Sequence, residues 1–254
     1  TICVNCVVKQ HVFVKKSTLQ QRHKSIKPRL SGAFFIMQSE LFTITPDDLY
    51  CFERQAAQRG FHWVAGIDEA GRGPLAGAVV AAAVILRPAQ IIAEVDDSKK
   101  LTERRRELLF ERIMDEALAI GIGIVDAQTI DTINILQATR QAMLTAVQSL
   151  QPQPDCLLID GITTIASTAH QTTIKQGDSR SGSIAAASII AKVTRDHLMV
   201  QYDQQFPEYG FARHKGYGSV QHLQALRHHG PCPIHRLTFA GVSPSKGQNK
   251  LLFS

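Results

Sequence analysis

The sequence is poor in aromatic residues, at 6%, and it has no long apolar run. Its longest apolar run extends from Leu75 to Leu86, whereas a membrane-spanning helix needs about eighteen or more apolar residues. The five cysteines form an odd set, which excludes a fully paired disulfide framework and favours a reducing, cytoplasmic compartment. Because the apolar share of 44% is too high for a disordered chain, the composition predicts a globular protein without a membrane span.

Acidic residues are absent from residues 1–36, which carry seven lysines and arginines. The net charge of +6 therefore leaves −1 for residues 37–254. One interpretation is a disordered leader or a mis-set start, since the chain begins with Thr1 and Met37 opens a more organised segment. A basic arm that binds phosphates and a targeting leader are the alternatives, and all three stay open.

Strands and helices alternate from Phe61 onward, which predicts an α/β fold with a mixed sheet. The pattern predicts strands over 61–68, 78–86, 121–126, 156–160 and 171–175. It predicts helices over 102–118, 134–150, 183–206 and 219–230. The expected organisation is a leader over 1–36, an N-terminal segment over 37–60, one α/β domain over 61–245 and a tail over 246–254.

Acidic residues stand at three places where a predicted buried element stops: Asp68-Glu69, Asp160 and Asp178. Ligands of α/β sheets bind in the crevice at the strand ends, where four converging carboxylates would repel one another. Divalent cations with oxygen ligands, Mg²⁺ or Mn²⁺, relieve that repulsion, and a two-ion site can cleave a phosphodiester. The alternative is that each aspartate only forms a turn or caps a helix. Neighbours on a strand point to opposite faces, so Asp68 and Glu69 share a site only if the chain twists or bulges there.

Several sequence blocks together resemble bacterial ribonuclease HII, in the order in which that family carries them. Residues 66–77 read GIDEAGRGPLAG, the opening motif. The other blocks are DSKKL at 97–101, LIDG at 158–161, GDS at 177–179, AASIIAKVTRD at 186–196, YGF at 209–211 and HKGYG at 214–218. No single block is specific, but the combination is.

The resemblance implies a ribonuclease H-like mixed sheet flanked by helices, with a helical C-terminal part. It implies an endonuclease that hydrolyses the RNA strand of RNA–DNA hybrids, cuts 5′ of ribonucleotides embedded in duplex DNA and so serves their removal. It makes Asp68, Glu69, Asp160 and Asp178 the catalytic, metal-binding carboxylates for Mn²⁺ or Mg²⁺. It also makes Gly71-Arg72-Gly73 the loop that senses the ribose 2′-hydroxyl, the group that distinguishes RNA from DNA, and Tyr217 the residue that packs on the junction nucleotide.

One departure concerns the residue before Gly177-Asp178. The family often has lysine there, whereas this chain has Gln176, and Lys175 comes one residue earlier. A role for that lysine in charge neutralisation or phosphate contact is therefore left open.

Other residues suggest partners less specifically. Aromatic and basic residues alternate over 206–217, and Lys99 is a candidate contact for substrate phosphate. Gln38-Ser39-Glu40-Leu41-Phe42 resembles the short peptides that bind bacterial sliding clamps, although packing of Leu41 and Phe42 on the domain is the simpler explanation.

Two further patterns lead to structural expectations. The spacing of His228, His229, Cys232 and His235 fits no zinc finger. Lys192 and Asp196 lie four residues apart, which predicts an exposed ion pair on a helix.

Two alternatives to a nuclease come from other functional classes. A nucleic-acid-binding module without activity is disfavoured because all four carboxylates are present. A dinucleotide-binding loop is disfavoured because the third glycine, Gly77, comes one residue late and Asp68-Glu69 would repel a pyrophosphate. The sequence therefore predicts a cytoplasmic, monomeric nuclease that binds RNA–DNA hybrids and ribonucleotide-containing DNA.

Overall fold

The computed structural model describes residues 48–87, 91–92 and 101–242. The basic leader, the Gln38–Phe42 peptide, Lys99 and the tail over 246–254 lie outside these residues, so the expectations for them stay predictions. Among the helices of the described ranges, none combines the length and apolarity that a membrane crossing requires.

Helices and strands alternate along the chain. The strands are β1 (Val64–Ala70), β2 (Val79–Ile85), β3 (Ala119–Val125), β4 (Cys156–Asp160) and β5 (His170–Ile174). The helices are α1 (Cys51–Gln58), α2 (Glu103–Glu116), α3 (Ala127–Gln148), α4 (Gly182–Gln205), α5 (Phe211–His214) and α6 (Val220–His229), with a 3-10 turn at Gly177–Ser179. Four predicted helices and five predicted strands correspond to these elements, whereas α1 and the short α5 were not predicted.

The five strands form one mixed sheet in the order β3-β2-β1-β4-β5. Strand β2 pairs antiparallel with β1 and β3, whereas β4 pairs parallel with β1 and β5. The predicted α/β class with a mixed sheet is therefore confirmed. The parallel pairing aligns Ile67 with Ile159, so the carboxyl ends of β1 and β4 meet at one edge of the sheet.

Helices cover both faces of the sheet because β2 is apolar and buried at every position. Ala81 and Ala83 pack with α3 on one face, whereas Ala82 and Val84 pack with α2 and α4 on the other. Small side chains let the helices come close. At Gly66 of β1, an added Cβ would lie 2.1 Å from the backbone carbon of Ser183 in α4.

Local capping explains where the helices begin. The Thr102 side chain accepts a hydrogen bond from the Arg105 amide at the start of α2, as predicted. Helix α3 begins earlier than predicted, at an Asp126 cap, and then kinks at Asn134, where φ is 67°. The Asn134 side chain accepts bonds from the Leu136 and Gln137 amides, so it caps the second part of a helix that the sequence pattern placed wholly after it.

Helix α1, from the predicted N-terminal segment, packs against the sheet domain. Ala56 lies in an apolar cluster with Cys156 and Leu158 of β4. One carboxylate oxygen of Glu53 accepts bonds from both hydroxyls of Ser181 and Ser183. These contacts fix the beginning of α4, which follows the predicted acidic site.

The ion pair between Lys192 and Asp196 is not exposed, contrary to the sequence-based expectation. The Lys192 ammonium lies 2.6 Å from the carboxylate of Asp196, whose side chain is only 7% exposed. Spacing alone does not reveal this burial, because α4 is covered along most of its length.

The close approach of α3 to β3 gives a test of the packing. A Cβ added at Gly123 would lie 1.9 Å from the Ala142 carbonyl oxygen, so Gly123→Ala is expected to lower the free energy of unfolding by about 3 kcal/mol in urea titrations. Gly73→Ala is the matched control, because its added Cβ meets only Tyr217 at 3.8 Å. Equal stability of the two variants would contradict this packing.

Candidate active site

The acidic residues gather at the carboxyl edge of the parallel strands. Asp68 and Glu69 lie near the end of β1, and Asp160 ends β4. Asp178 lies in the 3-10 turn that follows β5, the next strand of the sheet. Since the three strands run parallel, the elements that carry these carboxylates end on the same side of the sheet.

Asp68 is a buried carboxyl with a perturbed pKa. It is 5% exposed, and burial raises its pKa well above the usual range, with further increases from the negative charges of Glu69 and Asp160. Hydrogen bonds from the Ser188 hydroxyl and the Glu69 amide act in the opposite direction. These hydrogen bonds do not offset burial and the neighbouring charges, so the ionised form of Asp68 is disfavoured.

Glu69 lies next to Asp68 in a strand without a β-bulge, and its negative charge helps to raise the pKa of Asp68. The antiparallel ladder between β1 and β2 runs unbroken from Ala65 to Ala70, whereas the parallel pairing with β4 ends at Ile67. Strand β1 thus extends beyond its neighbour at the site. The Arg72 guanidinium, which is half exposed, lies 3.3 Å from the Glu69 carboxylate.

Asp160 and Asp178 are linked through the turn between β5 and α4. The amide of Gly177 donates a 2.6 Å hydrogen bond to the Asp160 carboxylate. The next residue, Asp178, is 5% exposed. A Cβ on Gly177 would lie 2.6 Å from the Ile184 side chain and 3.3 Å from the Asp160 carboxylate, so glycine permits this close approach.

The donor chemistry of the cluster fits hard divalent cations, since it consists of carboxylate oxygens with a hydroxyl nearby. Over the described ranges, no three His, Cys, Asp or Glu side chains are already arranged as a set that could hold an ion. The fit therefore rests on chemistry and charge: a cation would relieve the burial and repulsion that raise the pKa of Asp68.

Two of the predicted substrate-contact elements, the Gly71–Gly73 loop and Tyr217, lie close together. Gly71 has a φ of +95°, and an added Cβ would lie 2.0 Å from the Arg195 side chain, so only glycine fits there. Gly73 lies near the ring of Tyr217, which is 49% exposed. The structure thus brings the Gly71–Gly73 loop and Tyr217 side by side.

Sequence reasoning missed several residues that support the site. Ser188 looked like an ordinary helix residue, although its place in the AASIIAKVTRD block was a signal. Arg195 and Arg236 are fully buried, and their hydrogen bonds go to backbone carbonyls around the loop. Arg195 lies in the same block as Ser188, whereas no pattern in the sequence indicated Arg236, because a basic residue is ordinarily expected at the surface.

A pair of buried histidines holds the backbone of Tyr217. The Cys232 amide donates to Nδ1 of His235 at 2.9 Å, so the proton of His235 is assigned to Nε2, which faces Nε2 of His222 at 2.9 Å. Nδ1 of His222 then donates to the Tyr217 carbonyl at 2.9 Å. Both rings are neutral in this chain of bonds, because a second proton on either would place two donors face to face.

Sheet order, flanking helices and the acidic strand edge define a protein of the ribonuclease H-like class. The family described as ribonuclease HII matches residues 65–242, and the chain belongs to that family of ribonuclease H enzymes. The ribonuclease HII of Geobacter metallireducens is 61% identical over 194 residues, covering 76% of this chain and 91% of the relative. That of Geobacter sulfurreducens is 57% identical over 215 residues, covering 84% and 99%. The resemblance found in the sequence is thereby confirmed.

Solved structures agree with this fold. The ribonuclease H2 from Pyrococcus horikoshii has a TM-score of 0.62 at 28% identity, covering 71% of this chain and 95% of its own. A complex of PCNA with ribonuclease HII from Archaeoglobus fulgidus has a TM-score of 0.61 at 24% identity, covering 74% and 99%. A Bst ribonuclease HIII in complex with Mn²⁺ has a TM-score of 0.57 at 20% identity, covering 71% and 68%. The last two show similarity of fold alone.

Replacing Asp68 is expected to stabilise the ion-free protein. Because the pKa of the Asp68 carboxyl is higher in the folded than in the unfolded protein, the folded protein becomes less stable as the pH rises above the unfolded pKa. Asp68→Asn removes this destabilisation, which is present at pH 8. We expect the Tm in chelator at pH 8 to rise by about 2–4 °C in calorimetry. The control is Glu111→Gln, an exposed carboxylate of α2. A lower Tm for Asp68→Asn would contradict the expectation that the Asp68 carboxylate destabilises the ion-free protein.

Acid is expected to weaken the histidine pair. Burial and the neighbouring His222 lower the pKa of His235 to about 4, and burial lowers the pKa of His222. Both pKa values lie below the unfolded value of about 6.5. The contribution of the pair to the free energy of unfolding is therefore fully present above that pH and is lost as the pH falls toward 4.

Urea titrations between pH 7 and 5 measure this effect, with at most about 1.4 kcal/mol lost per pH unit for each proton. The loss should be smaller in His235→Gln and unchanged in His228→Gln, which alters an exposed histidine of α6. Equal pH dependence in all three proteins would show that the pair is not held neutral.

Proposed function

We propose that this ribonuclease HII family member hydrolyses the RNA strand of RNA–DNA hybrids and cuts DNA 5′ of an embedded ribonucleotide. The observation that carries the proposal is the buried, electrostatically strained Asp68 beside Glu69 and Asp160, a few residues before the Gly71–Gly73 loop. The carboxylates at the edge of the sheet form the reaction centre, and the adjacent Gly71–Gly73 loop recognises the ribose. The product ends would be a 3′-hydroxyl and a 5′-phosphate.

Asp68, Glu69, Asp160 and Asp178 are the residues that would hold two divalent cations, Mn²⁺ or Mg²⁺. When bound, such ions supply activation of a water molecule and stabilisation of the leaving oxygen of the phosphodiester. The Mn²⁺ complex of the Bst ribonuclease HIII supports the choice of a divalent cation for this fold. No cysteine or serine nucleophile is needed in this scheme.

The chain itself contributes orientation and charge. The Ser188 hydroxyl donates to Asp68, and the Gly177 amide donates to Asp160, so both carboxylates are fixed by donors on other elements. Arg72 lies beside Glu69, which limits the movement of that carboxylate. Orienting the carboxylates before substrate binds lowers the reorganisation needed during the reaction.

Recognition of ribose is assigned to the Gly71–Gly73 loop and Tyr217. A glycine-rich backbone can approach the 2′-hydroxyl closely, since no side chain intervenes at Gly71 and Gly73. The half-exposed ring of Tyr217 offers a surface for packing against the sugar and base of the junction nucleotide. Their proximity to each other supports a shared role.

Several finer expectations remain proposals from the sequence. They are phosphate binding by Lys99, sliding-clamp binding through Gln38–Phe42, a cytoplasmic location and a monomeric state. The archaeal relative is recorded in complex with PCNA, but its likeness to this chain extends to the fold alone. The effect of Gln176 in place of lysine is open as well: it is exposed, with a φ of 55°, directly before Gly177.

The proposal is tested with a DNA duplex that carries a single ribonucleotide. With Mg²⁺ or Mn²⁺ present, the wild-type protein is expected to cut 5′ of the ribonucleotide and to leave the all-DNA duplex intact. Asp68→Asn should reduce the single-turnover rate by at least about 100-fold, because it removes an ionisable oxygen ligand while preserving shape. Denaturing gels with end-labelled strands measure position and rate.

Glu111→Gln serves as the control for loss of one negative charge, since that carboxylate is exposed on α2. It should retain the wild-type rate. Cleavage that persists in chelator, or full activity of Asp68→Asn, would exclude the carboxylate mechanism. Equal cutting of the all-DNA duplex would exclude recognition of ribose.

A further inference from the structure

Arg236 is a fully buried arginine whose side chain is surrounded by backbone carbonyls. Its three nitrogens make five hydrogen bonds, as many as a guanidinium has donors. Nε and Nη2 donate to Gly77 at 3.0 and 2.8 Å, and Nη2 also donates to Gly71. Nη1 donates to the carbonyls of Arg72 at 2.9 Å and of Pro74 at 2.8 Å. One side chain thus contacts four carbonyls of the predicted ribose-sensing segment.

These bonds fix which way the loop amides point. In a planar trans peptide, the carbonyl of one residue and the N–H of the next point in opposite directions. Since the carbonyls of Gly71 and Arg72 point toward Arg236, the amides of Arg72 and Gly73 point away from it. Neither amide donates a hydrogen bond to another described residue.

We propose that Arg236 is a positioning residue, which turns the Gly71–Gly73 loop so that the Arg72 and Gly73 amides face the ribose of the substrate. This inference rests on the proposed function, in which that loop senses the 2′-hydroxyl. Two neighbouring donors suit an oxygen acceptor, either the 2′-hydroxyl or the adjacent phosphate. The carbonyl acceptors are meanwhile held away from the anionic substrate.

Arginine is suited to this position by geometry as well as by charge. Its planar group presents donors in fixed directions, whereas a lysine ammonium at the same place could not reach four carbonyls. Burial and the positive charge of Arg195 lower the pKa of Arg236 to about 9, so the group stays charged at neutral pH. The Phe239 ring covers it, with 5.0 Å between the guanidinium carbon and the ring centroid.

The backbone around Arg236 ties the loop to the segment that carries Tyr217. The Arg236 amide donates to the Leu75 carbonyl, and the Leu75 amide donates to the Gly216 carbonyl, each at 2.9 Å. Gly216 precedes Tyr217, whose ring lies near Gly73. Arg236 therefore sets the loop in place relative to the second proposed recognition element.

Arg195 provides a matched comparison. It too is fully buried and donates to carbonyls, those of Ala76, Ala78 and Lys215, but not to those of Gly71 or Arg72. Arg195→Lys should therefore disturb a similar buried guanidinium without releasing the two carbonyls that orient the loop amides.

The first measurement uses the wild-type protein and needs no variant. Amide exchange followed by NMR in chelator should show fast exchange at Arg72 and Gly73 in the free protein. Both amides should become protected with a duplex that carries one ribonucleotide, and less so with the all-DNA duplex. Protection of these amides in the free protein would overturn the inference, because their direction would then be wrong.

The second measurement compares Arg236→Lys with Arg195→Lys, at a temperature where circular dichroism shows both folded. The readout is the ratio of single-turnover rates for a 2′-hydroxyl and a 2′-fluoro group at the same position of one duplex. This ratio does not depend on how much of the enzyme is folded. Arg236→Lys should lower it by about 10-fold or more and speed exchange at the Leu75 amide. Arg195→Lys should lower it less, because the Arg195 side chain contacts Gly71 but the carbonyls of Gly71 and Arg72 stay bonded to Arg236.

The outcomes separate the two proposals. An unchanged ratio in Arg236→Lys, together with unchanged exchange at Leu75, contradicts the positioning role alone. If the wild-type enzyme cuts the 2′-hydroxyl and 2′-fluoro substrates equally, the loop does not recognise the ribose. The proposed role of the Arg72 and Gly73 amides is then contradicted as well. If the rate ratio decreases as much in Arg195→Lys as in Arg236→Lys, that result also contradicts a specific role for Arg236.

Discussion

The close contact between α4 and the central strands is the constraint on which the site depends. Gly66 allows the start of α4 to lie directly on β1, and the alanines of β2 and α4 extend that contact along the helix. As a consequence, Ser188 reaches Asp68 and water is excluded from most of that carboxyl. The raised pKa of Asp68 is therefore a result of helix packing, and larger residues at this interface would change both the fold and the chemistry.

A second consequence concerns how charge is distributed in the interior. Asp68 is buried beside other acids, while Arg195 and Arg236 are buried among carbonyls, so Asp68 and these two arginines occupy separate places. A carboxylate could have paired with the Arg236 guanidinium through fewer hydrogen bonds, but it would not have fixed the orientation of four backbone carbonyls. Separation of this kind leaves the acids available for cations and uses the arginines to shape the backbone.

Sequence patterns revealed most of the fold and the acidic residues, for identifiable reasons. Strand β4 could be delimited because an apolar run stops at Asp160, and α6 because Ser219 and Gly230 cap it. The early start of α3 was missed because Asn134 is itself a good cap, so the pattern gave no reason to look before it. The burial of Arg236 could not be predicted, since it depends on carbonyls more than 150 residues away in the sequence. The roles of the site residues came from the resemblance and remain proposals.

Net charge is a poor guide to nucleic-acid binding in this chain. The seven basic residues before residue 37 account for more than the whole excess, and residues 37–254 carry −1. Of the basic residues in the described domain, Arg195 and Arg236 are buried and occupied with carbonyls, so they add nothing to surface contacts with phosphate. For residues 37–254, which carry a slight negative excess, binding of a polyanion depends on where individual basic groups lie, such as the half-exposed Arg72, and on cations at the acidic edge. This part of the protein would bind nucleic acid through local geometry rather than through a net positive field.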